Sequence, residues 1–323
     1  MILVKPKVEY WSGNEDLIFD VSHIAKCARL SHMSTGTNDR RLIDFLIKQK
    51  HLSTLRHGSS YYIIPERSAI KDADLLYFCR TIPTHSPYVH CVYDEEKQLY
   101  FLSTNIQYVI EHSKLDAKIN DYAVTLSELK RYGNIVEPII RHTFCITTQI
   151  STTRELNRVS PNNIIEESTR YCNYSKDKFG KDIKICIPYW FDIDFKDGES
   201  RIYDDTLRNE ILSNPNYSSF NNVENTDITL YLHSLEYACD NYIDLINNGL
   251  TTDMARGVLP LDTASTVAYT YTTMEWAHII NLRYFGTTGV PHPNAKKVIG
   301  MVRDIFNKDI INIDKYCEQL KNK

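Results

Sequence analysis

The chain has 323 residues, 42% of them hydrophobic and 24% charged, the proportions of an ordinary folded protein able to bury a substantial core. Its formal net charge is -4, so no global basic field exists to hold a nucleic-acid polymer or an anionic membrane, and any phosphate binding has to be local. The opening Met1–Pro6 is too short for a signal peptide, and no apolar run reaches the roughly 18 residues of a membrane span, so the expectation is a soluble, cytoplasmic protein. The eight cysteines stand singly, with no C-x-x-C pair and no His/Cys cluster at metal spacing, which reads as reduced structural thiols and no metal centre.

In chain order, residues 40 to 50 place Leu42, Phe45, Leu46 and Gln49 near one face, as an amphipathic helix does. After His51 to Gly58, the run Ser59 to Pro65 is rich in β-formers and stops at a proline, the pattern of a strand. Residues 67 to 140 read as an elaboration of mixed type, with apolar-aromatic pieces around Leu75 to Phe78 and Leu99 to Leu102 and a helix near 116 to 132. His142 to Gln149 runs as a strand. Thr152-x-x-Glu155 then supplies a capping-box start for a short helix that Pro161 must stop. Leu230 to Asn248 is a helix with Gly249 as its C-cap, and Thr252 to Val258 is a short one closed by Pro260. Thr272-x-x-Glu275 opens another that carries His278 and Arg283, and Asn294 to Asn307 makes the last. The order is α+β, a single mixed domain with helices dominating late and no repeat or low-complexity tract.

Chemistry concentrates between Arg154 and Tyr171, where three arginines and three carboxylates surround a short polar loop at the strand-helix-loop junction. No G-x-G-x-x-G follows a strand and no G-x-x-x-x-G-K-[ST] occurs, so backbone cradles for phosphate are absent and side chains must do that work. Arginine suits it, because its planar fork donates bidentate hydrogen bonds to phosphate and to carbonyl edges while staying charged. Four stand out: Arg158 and Arg170 around the loop, Arg256 before Gly257, and Arg283 after Leu282. Arg256 and Arg283 lie in otherwise apolar helical stretches, where an unpaired charge costs several kcal/mol, so each is expected to have a partner, with Glu166, Glu167 and Asp262 the available carboxylates. Taken singly, His278 reads as a core histidine, Ser53 as a helix-end serine and Ser168 as a turn cap. Ser168 also lacks a G-x-S-x-G elbow, which leaves a hydrolase reading without support.

Together these segments resemble the flavin-dependent thymidylate synthase family in its longer form. The resemblance rests on His51-Leu52-Ser53 followed by His57, on Arg154 to Tyr171 continuing through Lys176, on Ala255-Arg256-x-x-Leu259-Pro260, and on Glu275-Trp276-x-His278 through Leu282-Arg283. The family signature is R-H-R, seven residues, then serine, and it fits without a gap with Arg158 first and Ser168 as the serine. It implies a central antiparallel sheet flanked by helices, and a homotetramer binding FAD and dUMP between subunits, with methylenetetrahydrofolate as carbon donor and NADPH as reductant. It also assigns residues: Glu155, Arg158, Glu166, Glu167, Ser168, Arg170, Arg256 and Arg283 to dUMP, and Ser53, Arg158, Glu166 and His278 to FAD. Arg283 takes the catalytic role, stabilising negative charge on the uracil so that carbon-5 becomes nucleophilic. This chemistry needs no cysteine nucleophile.

The chain also departs from the pattern. Val159 and Ser160 stand where the family has histidine and a second arginine, Arg56 replaces an acidic residue before His57, and Thr272 and Met274 replace an Asn and an Arg. Losing one charge-assisted contact costs about 1.5–3 kcal/mol, or tenfold and more in affinity, and Arg56 is the candidate to supply the missing charge. Two other readings follow from the departures: a nucleotide-binding homologue with impaired flavin chemistry, and a related flavoenzyme modifying another pyrimidine nucleotide at C5.

Overall fold

The computed structural model describes residues 1–159, 161, 163–176, 182–191, 193–213 and 225–321, so Ser160 lies outside the described residues. Its centre is a four-stranded antiparallel sheet in the order Lys7–Tyr10, Arg141–Gln149, Ala264–Thr272, Ile164–Glu166. The two long strands pair over their whole length, from Ala264 opposite Gln149 to Thr272 opposite Arg141. Period-two alternation sends Val267, Tyr269 and Tyr271 to one face, where they join Phe144, Trp276 and Phe306 in a buried core. The other face carries Thr266, Ala268 and Thr270. There Ala268 packs on Cys27 of the helix Val21–Leu30, and the threonines meet their cross-strand partners, Thr143 to Thr270 at 2.7 Å and Thr147 to Thr266 at 3.0 Å.

Ser59–Pro65 does form a strand, and it is the bridge to the elaboration. It sits inside a second antiparallel sheet in the order Val89–Asp94, Leu99–Asn105, Ser59–Pro65, Ala123–Val124. The Tyr61 hydroxyl of this sheet accepts the Arg141 amide at 3.1 Å, which fastens it to the central one. A third sheet is small and mixed: Ile2–Val4 runs antiparallel to Ser200–Ile202 and parallel to Lys184–Cys186. The fold is therefore α+β, antiparallel sheets flanked by helices. All eight cysteines are free thiols, and seven are buried. Among the described residues no helix is long and apolar enough to cross a membrane and no His/Cys/Asp/Glu group could hold a metal ion.

Several expectations are corrected. The helix Asp39–Lys48 buries Ile43 and Leu46, leaving Phe45 and Gln49 exposed. In place of one helix over 116 to 132 there are two short ones, Ser113–Ile119 and Leu126–Lys130. Asn120 and Asp121 favour a turn between them, and Ala123–Val124 is drawn into pairing with Tyr61 and Tyr62. The helix after the central strand is Ile150–Leu156, starting before Thr152 and ending well before Pro161. Thr152 caps nothing there; its hydroxyl donates to Gln149 Oε1 at 2.9 Å. The reciprocal capping box at Thr272 and Glu275 does form, opening the helix Thr273–Ile280. The long helix spans Asn225–Asn247, and a further one, Ile313–Lys321, follows Pro293–Ile305.

Candidate functional site

The loop between Leu156 and Ile164 folds back so that the strand Ile164–Glu166 pairs at the edge of the central sheet, with Glu166 opposite Val267. This return brings Glu166 beside the helix that preceded it. Its carboxylate accepts from Thr153 Oγ1 at 2.8 Å, Ser265 Oγ at 2.8 Å and Asn157 Nδ2 at 3.3 Å, and the Tyr269 hydroxyl orients the Asn157 amide at 2.8 Å. Three neutral donors hold the carboxylate in place and leave its charge uncompensated. Thr153, Arg154, Glu166, Glu167, Ser168 and Arg256 line an open cleft of about 740 Å³ here.

Ser168 opens a tight turn. Its carbonyl accepts the Tyr171 and Cys172 amides at 3.1 and 2.9 Å, its hydroxyl accepts the Arg170 amide at 3.3 Å, and its own amide donates to the Ser31 carbonyl at 3.1 Å. The turn is pinned a second time by the Tyr171 ring against His32, centroids 4.7 Å apart. Arg170 is thereby presented outward, over Tyr171, with its carbonyl accepting from the Thr252 hydroxyl. Across the cleft Arg256 projects from the short turn Arg256–Val258. Asp253 marks how close the two lie: its carboxyl is held below the usual range first by the Thr251 hydroxyl and then by the charges of Arg170 and Arg256.

The expected ion pairs do not form. Arg256 is exposed, so burial exacts no pairing from it, and among the described residues neither it nor Arg154 nor Arg158 makes a salt bridge. Asp262 accepts instead from the Tyr231 hydroxyl at 2.8 Å, and Glu167 accepts from the Tyr174 hydroxyl at 3.4 Å. Burial is the leading cause that pushes the Glu167 carboxyl above the usual carboxylate range. Arg283 is half-buried in the wider turn Asn281–Phe285, which Gly286 closes with φ +73, where a Cβ would lie 2.7 Å from the Gly289 carbonyl. One Arg283 nitrogen, Nη2, donates to the Glu155 carbonyl at 3.0 Å, while its Nε is buried without a protein partner. His278 is exposed on Thr273–Ile280, contrary to the core-histidine expectation. Val159 is buried in the main core beside Leu156, so that position faces the protein interior.

Ser53 lies elsewhere, on the turn Leu52–His57, in a second cleft of about 640 Å³. Ser31 belongs to its wall, and through the Ser31 carbonyl the two clefts share a boundary with the Ser168 turn. The floor of the Ser53 cleft is aliphatic, with Ala28, Leu42, Leu46 and Leu52 packed among Ile24, Ile43 and Leu55, and the turn that carries Ser53 ends in buried polar groups. His57 is fully buried, bonded through Nδ1 to Thr270 at 2.7 Å, and a chain runs on through Thr143 to His23 at 3.0 Å. Burial first, then the nearby His23 and Arg141, lower the His57 pKa to about 3, so the ring is neutral. Arg56, at the end of this turn, donates through Nε to Gln107 at 2.6 Å.

Arg154, Thr153 and Ser265 are cleft residues that the sequence does not single out, and Asn157 enters there only as part of the Glu155 to Arg158 turn. Arg154 was legible as part of the charged stretch, whereas Ser265 belongs to a strand whose Ala-Ser-Thr-Val-Ala-Tyr-Thr-Tyr-Thr composition was the available signal.

The family model described as thymidylate synthase complementing protein matches residues 130–297, just over half of the chain. The chain belongs to that family. The match begins after the second sheet and covers the Glu166 cleft, Arg256 and Arg283, but not Ser53. No curated protein matches the sequence. Among solved structures it is similar to the UMP/dUMP methylase PolB from Streptomyces cacaoi. The crystal form with 5-Br UMP shows 15% identity, a TM-score of 0.42, and coverage of 98% of this chain and 96% of that one. The form with 5-Br dUMP gives 15%, 0.42, 99% and 96%.

Proposed function

We propose that this protein is a flavin-dependent thymidylate synthase, converting dUMP to dTMP with methylenetetrahydrofolate as carbon donor and NADPH as reductant. The observation that carries the reading is the Glu166 cleft, in which guanidinium groups stand exposed and, among the described residues, without a salt bridge around a carboxylate held by neutral donors, inside the segment that the family model matches. A cleft that leaves its cations uncompensated is arranged for an external anion. Arg154, Arg170 and Arg256 hold the phosphate, the Ser168 turn and Glu155 to Arg158 complete the nucleotide contacts, and Glu167 borders them. Arg283 takes the base: its buried Nε is a donor with an unfilled hydrogen bond, and in a desolvated site such a cation stabilises the anionic uracil whose carbon-5 attacks the one-carbon unit.

The Ser53 cleft has the size of a cofactor site, with an apolar wall and a few polar groups. Ser53, Arg158, Glu166 and His278 would hold FAD, which supplies hydride transfer when bound. We take the chain as one domain with residues 67–140 as its elaboration, cytoplasmic in keeping with its free thiols. We also propose a homotetramer, because Leu230 and Tyr237 on the long helix, Met254 on the short helix before Arg256 and Leu261 on the cleft wall are each more than half exposed.

Burial of Val159 favours a second reading, a nucleotide-binding homologue with impaired flavin chemistry, because no hydrogen-bonding group replaces the histidine there. The absorbance spectrum of the purified protein tests the choice. A flavin band, with FAD released on denaturation, is expected; protein that stays colourless with added FAD supports the second reading. Mass analysis of products from dUMP, UMP and dCMP then tests the substrate, with dTMP from dUMP the expected product.

A further inference from the structure

The turn that carries Arg283 is gripped on both sides of that residue. It closes at the Asn281 carbonyl, which accepts the Gly286 amide, the Thr287 amide at 3.1 Å and the Thr287 hydroxyl at 3.3 Å. The bond from Gly286 reaches back five residues, one more than in an α-helix, and such widened turns are rare and recur at functional sites.

The first grip is the Asn281 side chain. It is only 4% exposed, and its Nδ2 donates to the Cys317 carbonyl at 2.8 Å in the C-terminal helix Ile313–Lys321. That helix is itself tied down, by the Cys317 thiol on the Ala277 carbonyl at 3.6 Å and by the Tyr316 hydroxyl on Glu137. The other end of the amide, Oδ1, is buried without a protein partner. An unfilled buried acceptor costs about as much as one hydrogen bond contributes, so this asparagine adds little net stability. Its one bond supplies direction, fixing the residue on whose carbonyl the Arg283 turn closes. The second grip is Tyr284, whose ring is seated on Gly300 of the helix Pro293–Ile305. A Cβ there would lie 3.0 Å from Tyr284 Cε2 and 3.3 Å from Cδ2, closer than a side chain tolerates unless the ring gives way. The Arg303 guanidinium stands over the same ring, 5.1 Å from its centroid.

We propose that Asn281 and Gly300 are positioning residues for Arg283, holding its turn between two helices so that the unfilled Nε stands where the base binds. The inference rests on the role proposed for Arg283, and Gly300 and Cys317 lie beyond the segment that the family model matches. The one hydrogen bond of Arg283 itself, from Nη2 to the Glu155 carbonyl at 3.0 Å, fixes one end of the guanidinium, and the backbone has to fix the rest. A shift of about 1 Å in a group that acts on the transition state costs on the order of 100-fold in rate.

The test is Asn281→Leu in the full chain, made alone and together with Arg283→Ala. Leucine has the same branched shape and removes both the made and the unmade bond, so Tm is expected to stay within about 3 °C of wild type. Turnover of dUMP is expected to fall about 30-fold, while dUMP affinity by calorimetry changes less than about threefold because the phosphate is held by other arginines. In the Arg283→Ala background the same change should have no further effect, since no guanidinium is left to misplace. Gly300→Ala, which displaces the Tyr284 ring, should lower turnover by about 3- to 10-fold with the same unchanged affinity. Losses of Tm and turnover that run in parallel and are equal in both backgrounds, or full turnover in both single variants, would overturn the assignment and leave the reading of Arg283 standing. Should Asn281→Leu fail to fold, Gly300→Ala in the two backgrounds decides the same question. A wild type without turnover would overturn both.

Discussion

The two clefts on either side of the Ser168 turn are held by different physics. The Glu166 cleft is a polar rim on an aromatic core: Val267, Tyr269 and Trp276 fix the strands, and those strands present Glu166 and Ser265 at fixed distances while Arg154, Arg158 and Arg256 are exposed and form no salt bridge among the described residues. The Ser53 cleft rests on a separate aliphatic cluster of Ile24, Ile43, Leu46 and Leu55, and its turn ends at His57, the head of a buried polar file through Thr270 and Thr143 to His23. One site keeps its charges available to a ligand. The other is carried on a turn that ends in a buried, neutral imidazole. Perturbing each should therefore fail in its own way.

The largest effect is expected at the Glu166 side. Arg283→Ala removes the half-buried cation whose Nε has no protein partner, and turnover of dUMP should fall by about 100- to 1000-fold in steady-state kinetics. On the Ser53 side the corresponding sensitivity is to acid. His57 has its pKa lowered to about 3 in the folded state against 6.5 unfolded, and burial likewise lowers His142, which packs on Phe306 in the main core, to about 3. The unfolded chain binds more protons between those values, so stability is full above about pH 6.5 and is lost as pH falls toward 3. The slope is up to about 1.4 kcal/mol per pH unit per histidine. Urea unfolding at pH 7.0 and pH 5.5 measures it, and equal midpoints would show that these rings are not buried neutral.

Smaller effects separate binding from scaffolding. Arg154→Ala and Arg256→Ala should each weaken dUMP binding by about tenfold or more with little change in Tm, because both guanidiniums are exposed and form no salt bridge among the described residues. Arg40→Ala, which breaks only the exposed pair with Asp44, should leave dUMP binding unchanged. Glu166→Gln should cost about 1–3 kcal/mol of stability by thermal unfolding, since three donors converge on its oxygens and an amide turns one of them away.

Much of this was legible in sequence where a pattern had one physical meaning. Ser59 to Pro65, the strand before Gln149 and the Thr272–Glu275 capping box are local signals, and each forms as read. Thr152-x-x-Glu155 carried the same local signal and failed, because the strand hands over to its helix at Gln149 and leaves Thr152 inside it. Helical spacing groups Phe45 with Leu42 and Leu46 on one face, yet the buried positions are Ile43 and Leu46 and Phe45 is 54% exposed. For the candidate site, the arginines were legible as a group, but their isolation was not. Arg256 was expected to be buried and paired from its apolar neighbours, whereas Met254 and Val258 are themselves exposed around it. The donors that fix Glu166 come from sequence positions 153, 157 and 265, and only folding of the sheet edge brings them together.

The most direct measurement of the central claim is anaerobic conversion of dUMP by the purified protein with methylenetetrahydrofolate and NADPH, in the presence and absence of FAD. The account expects dTMP that appears only with FAD and is abolished by Arg283→Ala. dUMP that binds with Arg256-dependent affinity and yields no modified nucleotide in either condition would contradict it.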